Sequence, residues 1–169
     1  MSENEQTHTR FYETKAKEIM ISLKSHFDFI DETTEMTTLL THLKNTDHAW
    51  VMDSRDPLRL LGIITQSDIL AFLSPPFSSD QSFEKPDSRS MQYGENITAN
   101  DIMSKKPVTV SQDETIREIL VKMKEQKIKH LPVITDHGHL IGEVSLFEII
   151  KEYIQLFNQT LQGETLRKP

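Results

Sequence analysis

The chain has 169 residues, a net charge of −7 and no cysteine, and this composition excludes several classes of protein. An acidic chain disfavours a general binder of nucleic acid or of anionic membranes, because such binding depends on a basic surface. The absence of cysteine excludes disulfides, thiolate zinc sites and cysteine nucleophiles. No apolar run approaches the length of a membrane span and the N-terminus is unlike a signal peptide, so we expect a cytoplasmic protein.

The predicted elements begin after a polar N-terminal segment, residues 1–14, which we expect to be disordered. In the first block, residues 15–73, β-branched and aromatic runs alternate with segments of helical period. The pattern therefore predicts the order β-α-β-β-α. Its elements are a strand at 27–30, a helix that carries Met36, Leu39, Leu40 and Leu43, strands at 50–52 and 60–64, and a helix at 67–73.

Residues 74–96 are rich in Ser, Pro and Asp and are predicted to form a linker or an insertion. The second block, residues 97–158, repeats the β-α-β-β-α order. Residues 159–169 are predicted to be a frayed C-terminal tail. The elements of the second block are a strand at 107–110, a helix that ends near 127, strands at 131–134 and 140–144 with a turn at Gly138, and a helix from 145.

Short motifs recur between the two blocks in the same order. They are an Ala-x-x-Ile-Met motif, an Asp-Glu-Thr motif, and a Gly-x-x-Thr/Ser-x-x-Asp/Glu motif at the last helix. A period of roughly eighty residues is typical of a duplicated small domain rather than of a solenoid repeat. We expect the two domains to pack on each other, with a functional cleft between them. The matching pairs are 16–20 with 99–103, 31–33 with 113–115, and 62–68 with 142–148.

The duplicated unit resembles the cystathionine-β-synthase (CBS) domain in its Ile-Met start, its His-Leu-Pro-Val strand at 130–133 and its Gly-x-x-Thr/Ser-x-x-Asp motif. Two such units in tandem resemble the CBS pair called a Bateman module, over residues 15 to 157. The resemblance implies an α/β (α+β) fold of two β-α-β-β-α CBS repeats packed with pseudo-two-fold symmetry. It places the repeats at 15–73 and 97–158, and we expect no attached enzyme.

The segment from Thr65 to Asp68 starts the last helix of the first repeat and admits two interpretations. In one, the two side chains form a capping box that satisfies helix amides. In the other, the helix N-terminus and the Thr65 hydroxyl bind a phosphate, and the carboxylate accepts the hydroxyls of a ribose. The resemblance favours the second interpretation, because this family uses that Thr for phosphate and that Asp for ribose. Ser67 belongs to the same candidate site.

The resemblance also implies that the nucleotide site is composite, with Thr-x-x-Asp of one repeat facing the segment before the Pro-Val strand of the other. Without the resemblance, Lys129 and His130 would be interpreted as a solvated loop end. With it, they supply positive charge for phosphate, while Ile128 and the segment 98–108 offer apolar surface and backbone groups to adenine. The candidate nucleotide-binding residues are Thr65, Ser67, Asp68, Ile128, Lys129, His130, Thr98, Met103 and Val108.

A weaker second site is implied by the reciprocal pairing of Ser145 and Glu148 with His48 and its neighbours. Glu148 replaces the usual Asp, and Glu143 and Asp47 add negative charge where a phosphate would bind. Several carboxylates around a phosphate lower its affinity. We therefore expect an ordinary capping box between Ser145 and Glu148, and a site that is empty, weak or occupied by a less charged ligand.

No nucleophile and base stand together in the sequence, and the histidines show no spacing that requires a metal. We therefore expect no catalysis and no obligatory cofactor. The leading hypothesis is a regulatory module that senses an adenine nucleotide (AMP, ADP or ATP) or an S-adenosyl compound and acts on an unknown regulated protein. The alternative is a structural or oligomerisation module with vestigial sites; a small enzyme of unknown type is disfavoured.

The apolar pattern of the last helix predicts that the chain forms an oligomer, because this face is broader than one small repeat can bury. Exposed apolar patches of that breadth mark contact surfaces. CBS pairs dimerise through these helices, so we expect a homodimer; alternatively, residues 75–96 cover the face in a monomer. The face consists of Phe147, Ile150, Tyr153, Ile154, Phe157 and Leu161, and the first repeat offers Ile69, Leu70, Phe72 and Leu73.

Overall fold

A computed structural model describes residues 3–23, 29–74 and 97–165 of the chain, with side chains between 5 and 159. The chain divides into two compact units. The terminal unit comprises Met1–Ser25 and Val108–Pro169, and the central unit comprises His26–Pro107. The predicted linker beyond Ser74 and residues 27 and 28 of the first predicted strand lie outside the described residues.

The described elements follow the predicted alternation of strands and helices. In chain order they are α1 (Glu3–Glu13), α2 (Ala16–Ile19), β1 (Ile21–Ser22), β2 (Phe29–Asp31), α3 (Met36–Leu43), β3 (His48–Met52), β4 (Leu60–Thr65), α4 (Gln66–Leu73), α5 (Ala99–Ile102), β5 (Ser104–Lys105), β6 (Val110–Ser111), α6 (Ile116–Gln126), β7 (His130–Ile134), β8 (Leu140–Ser145) and α7 (Leu146–Thr165).

Each unit contains one four-stranded sheet. The strand order is β1-β8-β7-β6 in the terminal unit and β2-β3-β4-β5 in the central unit. In both sheets a parallel pair precedes an antiparallel pair, which is the β-α-β-β-α pattern expected from the sequence. The register places His48 opposite Thr65, and His130 opposite Ser145. The predicted mixed α+β fold is confirmed.

The fourth strand of each sheet comes from the other sequence repeat. Strand β1 pairs antiparallel with β8, with Ile21 opposite Glu143, and β5 pairs antiparallel with β4, with Ser104 opposite Ile63. We call residues 15–22 the first Ile-Met segment and residues 98–105 the second. The predicted boundaries at 15–73 and 97–158 thus describe sequence repeats, whereas the compact units exchange these two segments.

The glycine of the Gly-x-x-Thr/Ser motif makes room for the exchanged segment. A Cβ at Gly62 would lie 2.7 Å from the sulfur of Met103 and 2.8 Å from the carbonyl oxygen of Ser104. At Gly142 the corresponding Cβ would lie 2.6 Å from the carbonyl oxygen of Ile21. Real side chains do not approach backbone oxygens so closely, so the close approach of the strands at these two positions requires glycine.

Each unit has its own hydrophobic core, formed where the helices cover one face of the sheet. Helix α6 buries Ile116, Ile119 and Met123 at the spacing predicted from its period. The terminal core contains Phe11, Ala16, Ile19, Val110, Ile116, Ile119, Met123, Leu131, Val133, Val144, Ile149 and Leu156. The central core contains Ile30, Leu39, Leu43, Ala49, Val51, Ile64, Phe72, Ala99, Ile102 and Met103.

Residues 1–14 are not a wholly disordered segment as predicted, because Glu3–Glu13 form helix α1. Phe11 is 5% exposed, and its ring lies edge-on to Tyr153 of α7 with centroids 5.2 Å apart. His8 lies edge-on to Phe157 at 4.8 Å. The helix is polar apart from Phe11 and Tyr12, so its sequence carries too weak an apolar period to reveal it.

The Asp-Glu-Thr match between the repeats is wrong by two positions. The amide of Lys17 donates to the carbonyl of Gln112 (3.0 Å). The amide of Asn100 donates to the carbonyl of Glu32 (2.9 Å). Gln112 therefore corresponds to Glu32, and Thr115 corresponds to Glu35, the residue before α3. Helix α6 has 11 residues and α3 has 8, so the offset between the repeats grows at the strands that follow, where His48 corresponds to His130.

Two further boundaries differ from the prediction. Strand β6 covers Val110–Ser111 rather than the predicted 107–110, and Pro107 has no amide hydrogen to donate to a ladder. Helix α7 runs to Thr165, so residues 159–165 of the predicted tail are helical. The predicted turn at Gly138 is confirmed, with φ of 80°.

Candidate ligand-binding site

In the central unit, the site is the start of α4, where β4 ends. The backbone N–H of Thr65 donates to Asp68 Oδ2 (2.8 Å), and the Thr65 hydroxyl donates to the same oxygen (2.7 Å). The hydroxyl of Ser104 donates to Asp68 Oδ1 (3.4 Å). Thr65 and Asp68 therefore form the capping box that the first interpretation predicted.

At least three of the acceptor positions of Asp68 are already used within the protein. A carboxylate has about four lone-pair sites on its two oxygens, and Asp68 accepts from two Thr65 donors and from the Ser104 hydroxyl, so ribose hydroxyls would have to displace some of these bonds. The Thr65 hydroxyl has one proton, and it points at Asp68. It would have to rotate before it could donate to a phosphate. Ser67 is exposed at the same helix start.

The second Ile-Met segment supplies three more residues to this unit. Thr98 forms its own capping box with Asp101, whose Oδ2 accepts the amide and the hydroxyl of Thr98, each at 2.9 Å. Met103 is buried in the central core against Gly62, so its side chain packs in the core. Ser104 next to it contacts Asp68 and was missed by sequence reasoning. Its position directly after the Ile-Met motif is the signal that identifies it.

In the terminal unit, residues 128–130 at the start of β7 lie in three different environments. Ile128 packs against the terminal core, as does Val108. The Lys129 side chain is exposed, and its carbonyl accepts the amide of Leu146 at the start of α7 (2.8 Å). His130 is half-buried and heads β7.

His130 contacts a carboxylate that the sequence did not reveal. Its Nδ1 lies 2.7 Å from Oε1 of Glu143, a β8 residue that is 7% exposed. Sequence reasoning assigned Glu143 to the weaker second site. The structure pairs it with a residue of the first candidate site, because antiparallel pairing of β7 with β8 brings positions 13 residues apart together.

The predicted second site has a different arrangement at its helix start. Ser145 Oγ accepts the amide of Glu148 (3.2 Å), which is half of the predicted capping box. The Glu148 carboxylate pairs instead with Nζ of Lys151 (2.9 Å). His48 lies in the central unit, where its Nδ1 is 2.8 Å from Oδ1 of Asp47. Its ring is edge-on to Trp50 at 5.2 Å.

The structure thus groups the predicted site residues within units. Thr65, Ser67, Asp68, Thr98 and Met103 belong to the central unit, and Val108, Ile128, Lys129 and His130 belong to the terminal unit. Three features recur at equivalent positions in the two units. They are the start of the last helix (α4 or α7), the histidine at the start of the paired strand (β3 or β7), and the exchanged Ile-Met segment.

A profile of the CBS domain matches residues 16–75 and 99–155 of the sequence. The chain belongs to the CBS domain family. The two matched segments form a tandem CBS pair, and the Gly-x-x-Thr/Ser motifs described above lie inside them.

Relatives of this CBS chain include longer proteins. An uncharacterised protein of Methanocaldococcus jannaschii is 27% identical over 129 residues, which are 76% of this chain and 52% of that protein. Homoserine O-acetyltransferase of Methanococcus vannielii is 31% identical over 115 residues, 68% of this chain and 20% of the enzyme. The chain therefore spans about half the length of the first relative and a fifth of the second.

Solved structures share the CBS fold. The crystal structure of CBSX2 in complex with AMP has a TM-score of 0.69 at 22% identity, covering 83% of this chain and 97% of that one. A CBS domain protein of Pyrobaculum aerophilum complexed with AMP has a TM-score of 0.60 at 19% identity, covering 84% and 99%. The CBS domain of a bacterial CNNM/CorC family Mg²⁺ transporter in complex with ATP has a TM-score of 0.63 at 17% identity, covering 88% and 93%.

Helix α7 of this CBS pair presents an exposed apolar face. Phe147 is 68% exposed, and Ile150, Tyr153 and Ile154 are also exposed, while Ile149 is buried in the terminal core. In α4, Leu70 and Leu73 are exposed. Four members of the predicted α7 face therefore lie on the surface of the terminal unit, whereas Phe157 is half-buried and the Leu161 side chain is outside the described ones. The prediction is wrong for Phe72, which is 4% exposed because it packs in the central core. Within the described ranges, no helix has the length and hydropathy of a membrane span.

Proposed function

We propose that the chain is a regulatory CBS pair that senses an adenine nucleotide or an adenosine derivative in the cytoplasm and catalyses no reaction. The observation that carries this proposal is the start of α4. There a half-buried carboxylate, that of Asp68, lies at the first turn of α4, where the helix dipole stabilises its negative charge and its oxygens are placed to accept hydroxyl groups of a ligand. The AMP and ATP complexes of structurally similar CBS proteins support an adenosine ligand.

Five of the candidate residues have a role that their chemistry allows. Asp68 accepts the ribose hydroxyls, and Thr65 and Ser67 donate to phosphate after the Thr65 hydroxyl rotates. Lys129 has an exposed ammonium group for phosphate, and Ile128 offers apolar surface to the base. The regulated partner would respond to whichever conformation binds the ligand more tightly.

A thermal-shift screen tests the proposal directly. The chain is melted with adenosine, AMP, ADP, ATP and S-adenosylmethionine, and with GMP as a control for the base. A ligand at one hundred times its Kd stabilises the folded protein by about 2.7 kcal/mol, so binding raises the melting temperature by several degrees. Stabilisation by no adenosine compound would overturn the proposal.

A structural or oligomerisation module is the second candidate, and the exposed apolar face of α7 favours it. Phe147, Ile150 and Ile154 recur on one side of the helix, which is typical of a contact surface. We propose a homodimer that uses this face. Light scattering would then give twice the chain mass of 19.6 kDa. Phe147→Glu should return the protein to a monomer, while Lys124→Glu, at an exposed position of α6, should not.

A further inference from the structure

Ser104 is an exposed residue of β5 that contacts the candidate carboxylate of the central unit. Its hydroxyl donates to Asp68 Oδ1 at 3.4 Å, whereas the amide and the hydroxyl of Thr65 donate to Oδ2 at 2.8 and 2.7 Å. Hydrogen bonds between two oxygens are usually about 2.7 Å long, so the Ser104 bond is the weakest of these three. It is therefore the bond that an incoming hydroxyl group displaces most easily.

The terminal unit has an apolar residue at the position of Ser104. In the first Ile-Met segment this position is taken by Ile21, which lies opposite β8 as Ser104 lies opposite β4. Glu148, which occupies the position of Asp68, pairs with Lys151. Because isoleucine forms no side-chain hydrogen bond, a carboxylate that contacts a hydroxyl of the exchanged segment distinguishes the start of α4 from that of α7.

We infer that Ser104 is a specificity-determining residue that donates to one hydroxyl oxygen of a ribose bound at Asp68. The inference rests on the proposed function, in which Asp68 accepts the ribose hydroxyls. A ribose hydroxyl that donates to Oδ1 takes the place of the Ser104 proton, and its own oxygen keeps lone pairs that accept this proton. The Ser104 hydroxyl thus rotates from the carboxylate to the ligand, and the exchange leaves no donor without an acceptor.

This exchange selects for a particular class of ligand. A ribose that lacks the hydroxyl, or carries a substituent on it, cannot both donate to Asp68 and accept from Ser104. The ligand is therefore a ribonucleoside or ribonucleotide with both ribose hydroxyls unsubstituted. A deoxyribose analogue without the contacted hydroxyl leaves Ser104 on the carboxylate, so its affinity does not depend on the serine.

Titration calorimetry with AMP, 2′-deoxy-AMP and 3′-deoxy-AMP tests this inference, because the three probes share one base and one phosphate and differ only in their hydroxyls. Ser104→Ala should weaken AMP about fivefold, the loss expected for one neutral hydrogen bond. It should weaken one deoxy analogue by the same factor and leave the other unchanged, since that analogue lacks the hydroxyl that Ser104 contacts. Ser104→Thr keeps the hydroxyl and should bind all three probes as the wild type does.

Ser54→Ala is the matched control, since it removes a bond from another exposed serine of the central unit, to Glu32 Oε1 (3.0 Å). It should leave all three affinities unchanged. Equal weakening of the three probes by Ser104→Ala would mean that the serine only holds Asp68 in place, and it would overturn the inference. An unchanged AMP affinity would also overturn it. In both cases AMP binding to the wild type leaves the proposed function standing. Failure of all three probes to bind would overturn the inference, and a negative thermal-shift screen would overturn the proposed function as well.

Discussion

The two units share a fold but differ in the chemistry at the start of their last helix. In the central unit Asp68 bonds back to Thr65, and its carboxylate stays at the first turn of α4. In the terminal unit Glu148 has one more methylene and a lysine three residues later, and it pairs forward with Lys151. The duplicated backbone therefore does not duplicate the carboxylate arrangement, because one methylene and one cation redirect the Glu148 carboxylate.

The histidines at the start of β3 and β7 show the same divergence. His48 and His130 occupy equivalent register positions, opposite Thr65 and Ser145. The carboxylate of His48 comes from the adjacent, exposed Asp47, whereas that of His130 comes from the buried Glu143 on the neighbouring strand. A buried partner is screened far less by solvent and salt. The Glu143 carboxylate therefore depends more on its protein partner than the exposed Asp47 does.

A third difference is α1, which packs on α7 and α6 of the terminal unit and has no counterpart among the described elements of the central unit. Phe11 is the anchor of this helix, because it is buried in the terminal core. Phe11→Ala should lower the free energy of unfolding by about 3 kcal/mol, as expected for truncation of a buried Phe.

Chemical denaturation measures this loss, and the matched control is Phe29→Ala on β2, where the ring is 46% exposed. The control should cost well under half as much, because an exposed ring loses little burial. Equal losses from the two substitutions would mean that α1 adds nothing to the stability of the terminal unit.

The different starts of α4 and α7 predict that substitutions at Asp68 and at Glu148 have very different effects on AMP affinity. Asp68→Ala should weaken AMP binding by roughly 100-fold, because two ribose hydroxyls lose a charged acceptor. Glu148→Ala should change AMP affinity little, since its carboxylate pairs with Lys151. Calorimetry on both variants measures the difference.

Loss of the capping box alone requires its own control. Glu118→Ala removes the same kind of box from α6, where Glu118 Oε2 accepts the amide (2.7 Å) and the hydroxyl (2.8 Å) of Thr115. It should cost about 1 kcal/mol of stability and leave AMP affinity unchanged. Similar losses of affinity in Asp68→Ala and Glu148→Ala, or a loss confined to Glu148→Ala, would mean that the ligand binds elsewhere.

The sequence predicted the elements whose patterns are local. The alternating and helical periods located β3, β4, β7, β8 and α6 to within one or two residues. The capping box at Thr65 was also predictable, because both partners lie within one helical turn. These features depend on residues close together in the chain.

Features that depend on distant pairing were not predicted. A two-residue strand such as β1 carries no pattern that names its partner sheet, so the exchange of the Ile-Met segments emerged only from the register with β8. The pair of His130 with Glu143 depends on the same kind of register. Helix α1 was missed because packing of Phe11, rather than an apolar stripe, stabilises it.

Substitutions at Gly62 and Gly142 test whether the two exchanged segments are held equally tightly in the two units. Gly62→Ala and Gly142→Ala should each cost about 2 kcal/mol, because in both sheets the added Cβ meets a backbone oxygen that cannot move freely. Gly138→Ala, where φ is 80° but no atom lies within 4 Å, should cost about 1 kcal/mol from backbone strain alone. Denaturation midpoints rank the three. Unequal costs at Gly62 and Gly142 would show that the two exchanged segments are not held equivalently.

The smallest expected effect is on stability, and it comes from a difference in charge between the two Ile-Met segments. In the terminal unit Asp113 accepts from Lys17 (2.8 Å) and Lys15 (3.3 Å), while the position of Lys17 is taken by Asn100 in the central unit. Hydrogen bonding to Lys17, then to Lys15, holds the pKa of Asp113 below its usual value, and hydrogen bonding to Asp113 raises the pKa of Lys17.

A depressed carboxyl pKa stabilises the folded state above the unfolded value, near about pH 4, and the stabilisation is lost as pH falls through the folded pKa. A raised lysine pKa adds stability below its unfolded value of about 10.4 that is lost as pH rises through the folded one. Asp113→Asn should therefore be slightly less stable than wild type between these limits and equal to it at the acid end. Because all three side chains are exposed, the difference should shrink in high salt. Asp136→Asn in the β7–β8 turn is the control, and a difference that persists in acid or in high salt would contradict an ionic origin.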